Sequence, residues 1–543
     1  MQGQLQPSNG VQPSIVDVHR TSVGGLALTL VLLLAPAVTA SASPVLTLRE
    51  DGSAYAREDP YLPPDAATAP RTAPAPRTAT APPRLAARAA AARRRTVRRE
   101  LARMLAAAAI DRRTHDRLRR VYADAARTRS RLRGARAVGL GAALRNLDAI
   151  AASGQLTVSR LPALFETVAR NREWWSRGPL LGSGQRVSFR GSRLVWQHYP
   201  GEGLQIQWLG TFGKANGLWQ SRRHDRELRE LLDEAHGLAA ERAGGIAFEY
   251  LFRFGGGRPP WVSGLAQGTA VQALSRGAVR LGEPRYFQAA RAGLGVFRTA
   301  PPAGVRVSTP AGAHYVIYSY APGLRVLNGF TQALVGLHDF AALANDDEGR
   351  ALFAAGEAQL RRELPLYDTG GWSRYSLSRD ADVHYHTLAR DFLRYLCRRL
   401  TDARRRPQDA PAAPTGGAGP VPGAPPAPVA DPGPYCDAAQ RFTRYLSTPP
   451  RARIVSQRGR AGKPISIRVR LDKPAFVTLG LRRGDRTVAV LRARLPSGRS
   501  SLRWTSPPRR GGEFDVRLTA TDLTGNRGEA SGELRVLRPR SKR

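Results

Sequence analysis

Apolar and polar residues alternate with the two-residue period of a strand in the last ninety residues of the chain. Ile465–Leu471, Ala475–Leu481, Thr487–Leu495, Ser501–Thr505 and Glu513–Thr521 each read this way. Arg483-Gly484-Asp485 and Thr524-Gly525-Asn526 supply turns between them. Upstream the pattern changes to helical lengths: Leu204–Gly217, Arg222–Arg242, Gly264–Leu281, Pro284–Phe297, Asn328–Ala344, Asp347–Leu364, Tyr385–Leu400 and Tyr435–Leu446. Short extended pieces interrupt these helices at Ile246–Phe254 and Val305–Tyr320, and residues 185–200 read as a β-hairpin. Between Arg84 and Ile150 the chain is Ala, Arg and Leu with few breakers. Leu101, Met104, Leu105, Leu118, Val121 and Tyr122 form an apolar stripe there, so one or two long basic helices are expected.

These elements predict a multidomain α+β chain. Eight antiparallel helices joined by hairpins suggest an incomplete α/α-barrel, a helical toroid, over 180–450, with a Pro-rich insertion at 403–433. A basic helical arm at 84–178 precedes it, and an immunoglobulin-like β-sandwich at 451–543 follows. The arm could pack on the next domain, bind a polyanion or lie on an anionic surface. Residues 43–83, rich in Ala, Pro, Thr and Arg, read as a disordered linker. Val23–Val38 is an unbroken apolar or small run after Arg20, followed by Ala40-Ser41-Ala42. That order is a secretory signal peptide over 1–42, and an uncleaved anchor is the alternative. Either reading exports the chain to the extracellular envelope or medium.

Composition sharpens this picture. The 543 residues carry 84 Lys+Arg against 43 Asp+Glu, a net charge of +41, and only four of the cations are lysines. The arginine bias matches a GC-rich bacterial genome. The excess sits in the flanks. Residues 84–136 hold 18 arginines against four acids, and 451–543 hold 21 arginines and three lysines against seven acids. Such flanks suit an acidic glycan or an anionic envelope surface. No zinc pattern or nucleic-acid module accompanies them, which argues against nucleic acid. Cys397 and Cys436 are the only cysteines, and an oxidising compartment lets them form a bridge across the Pro-rich insertion.

Three blocks carry the distinctive text: PPWVSGLAQGTAVQAL at 259–274, YSYAPGLRVLNGFTQALVGLHDF at 318–340 and LPLYDTGGWSRYSLSRDADVHYHTLARDFL at 364–393. Here the chain resembles the D-glucuronyl C5-epimerases, through VLNGF at 326–330, LPLYDTG at 364–370 and YHT at 385–387. LQIQWLGTFGKAN at 204–216 looks like the start of the same catalytic unit, and CDAAQRFTRYL at 436–446 like its final helix. The resemblance covers about 200–450. It implies inversion of D-glucuronate to L-iduronate by removal of the C5 proton and its return to the opposite face, with no cofactor or metal. The substrate implied is an acidic, uronate-containing polysaccharide, and a homodimer is compatible with it.

By position in these motifs, the resemblance assigns proton transfer to Tyr318 and Tyr385, with Tyr375 orienting or sharing that role. Tyrosine titrates near pH 10, so a tyrosine base must be activated by cations or hydrogen-bond donors. Ser263, Gln267, Asn328 and Gln332 carry over as substrate-binding polar groups, although Asn328 could instead cap its helix. His386 could contact the uronate carboxylate, and Arg325 or Arg379 could neutralise it with a bidentate fork. The sequence departs from the family before the first tyrosine, where an acid is replaced by Ile317. His384, His386 and Asp382 lie close in sequence, but three ligands from so short a segment do not make a metal site. A uronate lyase would share the proton abstraction, and a non-catalytic glycan-binding envelope protein would share the binding groups. A glycoside hydrolase would need two facing carboxylates, and Glu249, Asp368 and Asp382 show no pairing in the sequence.

Overall fold

A computed structural model describes residues 44–49, 51–62, 95–405, 430–455, 457–508 and 511–538. The signal-peptide reading of 1–42, residues 63–83 of the linker, residues 84–94 of the basic arm and residues 406–429 of the Pro-rich insertion lie outside the described residues. The described residues fall in one compact unit, Ala42–Arg543.

Two strands open that unit, β1 (Val45–Leu48) and β2 (Ala54–Arg57). They correct the reading of 43–83 as linker throughout. β1 lies parallel to β3 (Arg186–Ser188), and the sheet continues through β4 (Trp196–Tyr199) and β5 (Gly203–Ile206) in the order β2-β1-β3-β4-β5. The physical reason is non-local. Val45–Leu48 pairs locally with β2, but the hairpin joins a sheet only through β3, about 140 positions later, a partner that local composition does not reveal. Likewise Gly203–Ile206, expected as the start of a helix, is a fully buried strand, because a short apolar run fits either element.

Three helices stand where one or two were expected before Ile150, α1 (Val97–Ala106), α2 (Arg112–Arg131) and α3 (Gly134–Ala152), and α4 (Leu161–Arg177) completes the arm. Leu101, Met104, Leu118, Leu140, Leu147, Trp174 and Trp175 are buried in a core continuous with the central helices. The arm is therefore packed, with its arginines on the outer face.

The central region runs α5 (Trp208–Ser221), α6 (Asp225–Gly237), α7 (Gly264–Leu281), α8 (Pro284–Ala292), the single turn α9 (Gly295–Arg298), α10 (Leu327–Leu343), α11 (Asp347–Glu363), α12 (Val383–Arg405) and α13 (Gly433–Tyr445). Three hairpins punctuate it: β6 (Ala240–Arg242) with β7 (Gly245–Ala247), β8 (Arg306–Thr309) with β9 (Gly312–Tyr315), and β10 (Arg374–Ser376) with β11 (Arg379–Asp380). α7 and α10 touch backbone to backbone. A Cβ added to Gly336 would stand 2.0 Å from the Gly268 carbonyl oxygen, so only glycine admits this approach. Cys397 of α12 and Cys436 of α13 are disulfide-bonded, Cα to Cα 5.0 Å.

The C-terminal strands form two sheets, in the orders β12-β14-β17 and β13-β19-β18-β15-β16. Here β12 is Ala452–Ile454, β13 Gln457–Arg460, β14 Pro464–Leu471, β15 Ala475–Arg483, β16 Arg486–Leu495, β17 Gly498–Thr505, β18 Gly512–Asp522 and β19 Arg527–Leu537. Alternate residues of β14 and β18 point into a shared core containing Ile467, Leu479 and Leu518. Lys473 anchors this module to the helices. Its buried ammonium donates to the carbonyls of Tyr445 (2.7 Å) and Thr448 (2.6 Å), pairs with Asp522 at 3.1 Å, and lies 5.5 Å over the Trp372 ring.

Candidate active site

Four helices begin at one open cleft of about 650 Å³. Gln207 stands at the N-cap of α5 and Ser263 at that of α7, while Asn328 and Tyr385 stand in the first turns of α10 and α12. Gln207 Oε1 accepts from the Gly210 N–H at 2.8 Å, and Ser263 Oγ from the Ala266 N–H at 3.3 Å. Asp382 Oδ1 accepts from the Tyr385 N–H at 2.8 Å. α10 has no side-chain cap. Asn328 therefore does not serve as its cap; it lines the cleft, and its Oδ1 is buried without a partner. Helix N-termini carry partial positive charge, so four of them around one space favour an anionic guest.

Tyr318, Tyr375 and Tyr385 all line this cleft and share a small apolar cluster with Leu265, Ile317 and Val326. The rings of Tyr375 and Tyr385 lie 4.7 Å apart. Tyr318 stacks on Tyr320 at 5.2 Å and meets Trp261 edge-on at 5.6 Å. Burial pushes the Tyr318 phenol well above its ordinary value, and the neighbouring phenols push it further. Burial also raises Tyr385, with Tyr375 and Asp382 adding to the rise and Arg379 opposing it. Tyr375 is raised by burial too, against the opposing pull of Arg379, whose guanidinium sits 4.6 Å over its ring. All three are neutral phenols at neutral pH. Arg379 is the cation placed to stabilise a phenolate on the Tyr375–Tyr385 side, while Tyr318 has no cation among the causes of its shift.

Four of the residues assigned to substrate are not brought to the cleft. Gln267 is fully buried; its Nε2 donates to the carbonyls of Ile246 and Gly293, and its Oε1 accepts from the Phe248 N–H. Gln332 bridges α10 to α7, donating to Thr269 Oγ1 and Gln272 Oε1. Arg325 is ion-paired with Glu363, which also binds His314. His386 is fully buried and stacked 3.9 Å from Trp372; its Nε2 donates to the Phe442 carbonyl, and its Nδ1 accepts from Ser373. Burial pushes its imidazole down to about 4. These corrections share a cause. A polar side chain inside a matched motif can hold helices together as readily as it can hold a ligand, and here the internal partners use its hydrogen-bonding capacity.

Some cleft residues were not picked out from the sequence. Tyr250, Phe252, Phe254 and Trp261 line the cleft on the side of Tyr318, with Tyr250 and Trp261 stacked at 4.3 Å. Their signal was present as aromatics at two-residue spacing in 250–254. Gln207 sits beside them at the mouth of α5. Glu249 is buried between Arg160, at 2.6 Å, and Arg242, and Asp368 is held by Arg441 at 2.9 Å. Neither lines the cleft, whose lining carboxylate is Glu202. Among the described residues no group of three or more His, Cys, Asp or Glu is placed to hold a metal ion.

Residues 243–404, which supply most of this cleft, match the family model for the D-glucuronyl C5-epimerase C-terminus. These residues are similar to the C-terminal part of the D-glucuronyl C5-epimerases. The chain is 35% identical over 132 residues to a D-glucuronyl C5-epimerase of Caenorhabditis elegans, covering 22% of this chain and 21% of that one. It is 27% identical over 137 residues to an uncharacterized protein of Methanocaldococcus jannaschii, covering 24% of this chain and 44% of that one. The chain thus spans about a fifth of the first relative and under half of the second. Among solved structures, an endo-β-1,4-glucanase from Acetobacter xylinum aligns with 30% of this chain and 50% of its own, at 14% identity and a TM-score of 0.24. That likeness is too weak to bear on the fold or the site.

Proposed function

We propose that the chain is an exported epimerase that inverts C5 of D-glucuronate units within an acidic polysaccharide. The reading includes an incomplete α/α-barrel around 180–450 as the catalytic domain and an immunoglobulin-like module at 451–543. Its single strongest support is the convergence of Tyr318, Tyr375 and Tyr385 on one cleft ringed by four helix N-termini, within residues that match the epimerase model.

The chemistry follows from the site. As the C5–H bond breaks, its electron pair moves into the adjacent carboxylate, which gains negative charge. Helix N-termini and the Arg379 guanidinium offset that charge without reorganising. On the Arg379 side, a phenolate on Tyr385, in contact with Tyr375, takes the proton. Tyr318, a phenol kept neutral by burial and by the neighbouring phenols, returns a proton to the opposite face. The electron pair re-forms a C–H bond, so the step is neutral in redox and consumes no co-reactant. The aromatic wall from Tyr250 to Trp261 gives the pyranose ring an apolar face to lie on.

The test is incubation with glucuronate polymers in D2O, followed by NMR at C5 and ultraviolet detection of unsaturated ends. Deuterium at C5 together with iduronate supports the epimerase. Unsaturated ends would replace it with a lyase, and binding with no exchange on any uronate polymer would replace it with a non-catalytic glycan binder.

A further inference from the structure

A second cavity, of about 660 Å³, adjoins the cleft and shares Tyr375 and Tyr385 with it. One wall is the β10–β11 hairpin with Arg374 and Arg379; the other belongs to the C-terminal sheets, with Pro474, Arg494 and Leu523. The two walls are fixed together. Asp380 accepts from both the N–H and the hydroxyl of Ser497, each at 2.6 Å. Arg494 is directly opposite Phe476 across β15 and β16, and its guanidinium lies 5.5 Å over that ring.

The charges in this cavity are unevenly satisfied. Asp380 is engaged by Ser497, and Asp382 accepts from the Tyr385 N–H. Arg374 donates to the Leu377 carbonyl at 3.1 Å, while Arg379 and Arg494 lie over the rings of Tyr375 and Phe476, and among the described residues no ion pair to an acid is seen for these three. Three guanidinium forks without acidic partners, beside the apolar surface of Pro474 and Leu523, match the carboxylate and ring face of a uronate sugar.

The geometry points to the C-terminal sheet module as part of the substrate site: Arg494 binds the carboxylate of a sugar further along the same polysaccharide chain, beyond the units a trimer places around the reacting one. The module is thus a length-sensing extension of the cleft. This rests on the reading of the cleft as a polyuronate site, yet it is read out by binding, without turnover.

Calorimetric titration of the full chain with glucuronate oligosaccharides of three and of eight units tests it. Arg494→Ala is expected to weaken the octamer at least fivefold and the trimer less than twofold. Arg492→Ala, the same charge loss on the same strand but outside the cavity, should change neither beyond twofold. Equal losses for both lengths, or an octamer affinity matching the unsubstituted chain, would overturn the subsite. Octamer-specific loss in a chain that shows no C5 exchange would leave the subsite standing and remove the epimerase. Binding of neither oligomer would remove the subsite.

Discussion

Ser497 and Asp380 meet through two hydrogen bonds of 2.6 Å, tying the loop between β16 and β17 to the hairpin that carries Tyr375 and Arg379. The hairpin wall beside the cleft is therefore buttressed by a module outside the family-matched residues. Asp380→Ala removes the acceptor of both bonds, one of them from a backbone N–H. The expected cost is about 1–3 kcal/mol, seen as a lower midpoint in urea and faster proteolytic release of the C-terminal module. Asp380→Asn should recover part of the loss. An unchanged midpoint in Asp380→Ala would show that the contact does not hold the module.

The proposed base is a phenol that burial raises above its ordinary value, so its reactive phenolate is scarce at neutral pH. Below such a pKa, each pH unit changes the phenolate fraction about tenfold. The rate of C5 exchange, as kcat/KM, should climb with a slope near one from pH 6 to pH 9. Arg379→Gln should lower the rate throughout, because it withdraws the cation opposing the rise. A plateau at neutral pH would point to a base other than these tyrosines.

His386 gives the fold a separate acid sensitivity. Its imidazole is pushed from 6.5 down to about 4 by burial, so between these values the unfolded chain binds a proton that the folded chain refuses. Stability from this group is complete above about pH 6.5 and is lost as pH falls toward 4, by up to about 3 kcal/mol. The sign is set by burial, which disfavours the charged imidazole, while the Phe442 carbonyl that accepts from Nε2 opposes the shift. Melting temperatures of the chain and of His386→Gln, followed from pH 7 to pH 4, check it. The acid loss should be shallower in the variant; parallel curves would exclude His386 as a source.

The Cys397–Cys436 bridge spans 39 residues and joins α12, which carries Tyr385, to α13. On loop entropy it stabilises by about 4 kcal/mol. Reduction, or the Cys397→Ser, Cys436→Ser double variant, should lower the melting temperature by several degrees. Equal melting with and without reductant would contradict this.

Local pattern made the elements legible wherever their partners did not matter. Gly264–Leu281 and the alternating strands from 464 onward stand almost where their periodicity puts them. β1 escaped because the sheet it and β2 join is supplied by the distant β3, and β19 because Arg527–Leu537 mixes Gly, Ser and charged residues in a strand mostly exposed at its start. At the site, residue type located the tyrosines but could not separate Asn328, which opens on the cleft, from Gln332 four residues later, which is spent on Gln272 and Thr269. That distinction is one of helix rotation and burial. The encirclement of the cleft by four helix N-termini is likewise a tertiary fact, assembled from elements far apart in sequence.

The most direct test of the central claim is C5 deuterium incorporation by single phenylalanine variants in D2O, alongside oligosaccharide binding. The account predicts that Tyr318→Phe and Tyr385→Phe each lose at least about a hundredfold in exchange while binding a glucuronate octamer within threefold of the unsubstituted chain. Exchange at the unsubstituted rate in either folded variant would contradict proton transfer by that tyrosine.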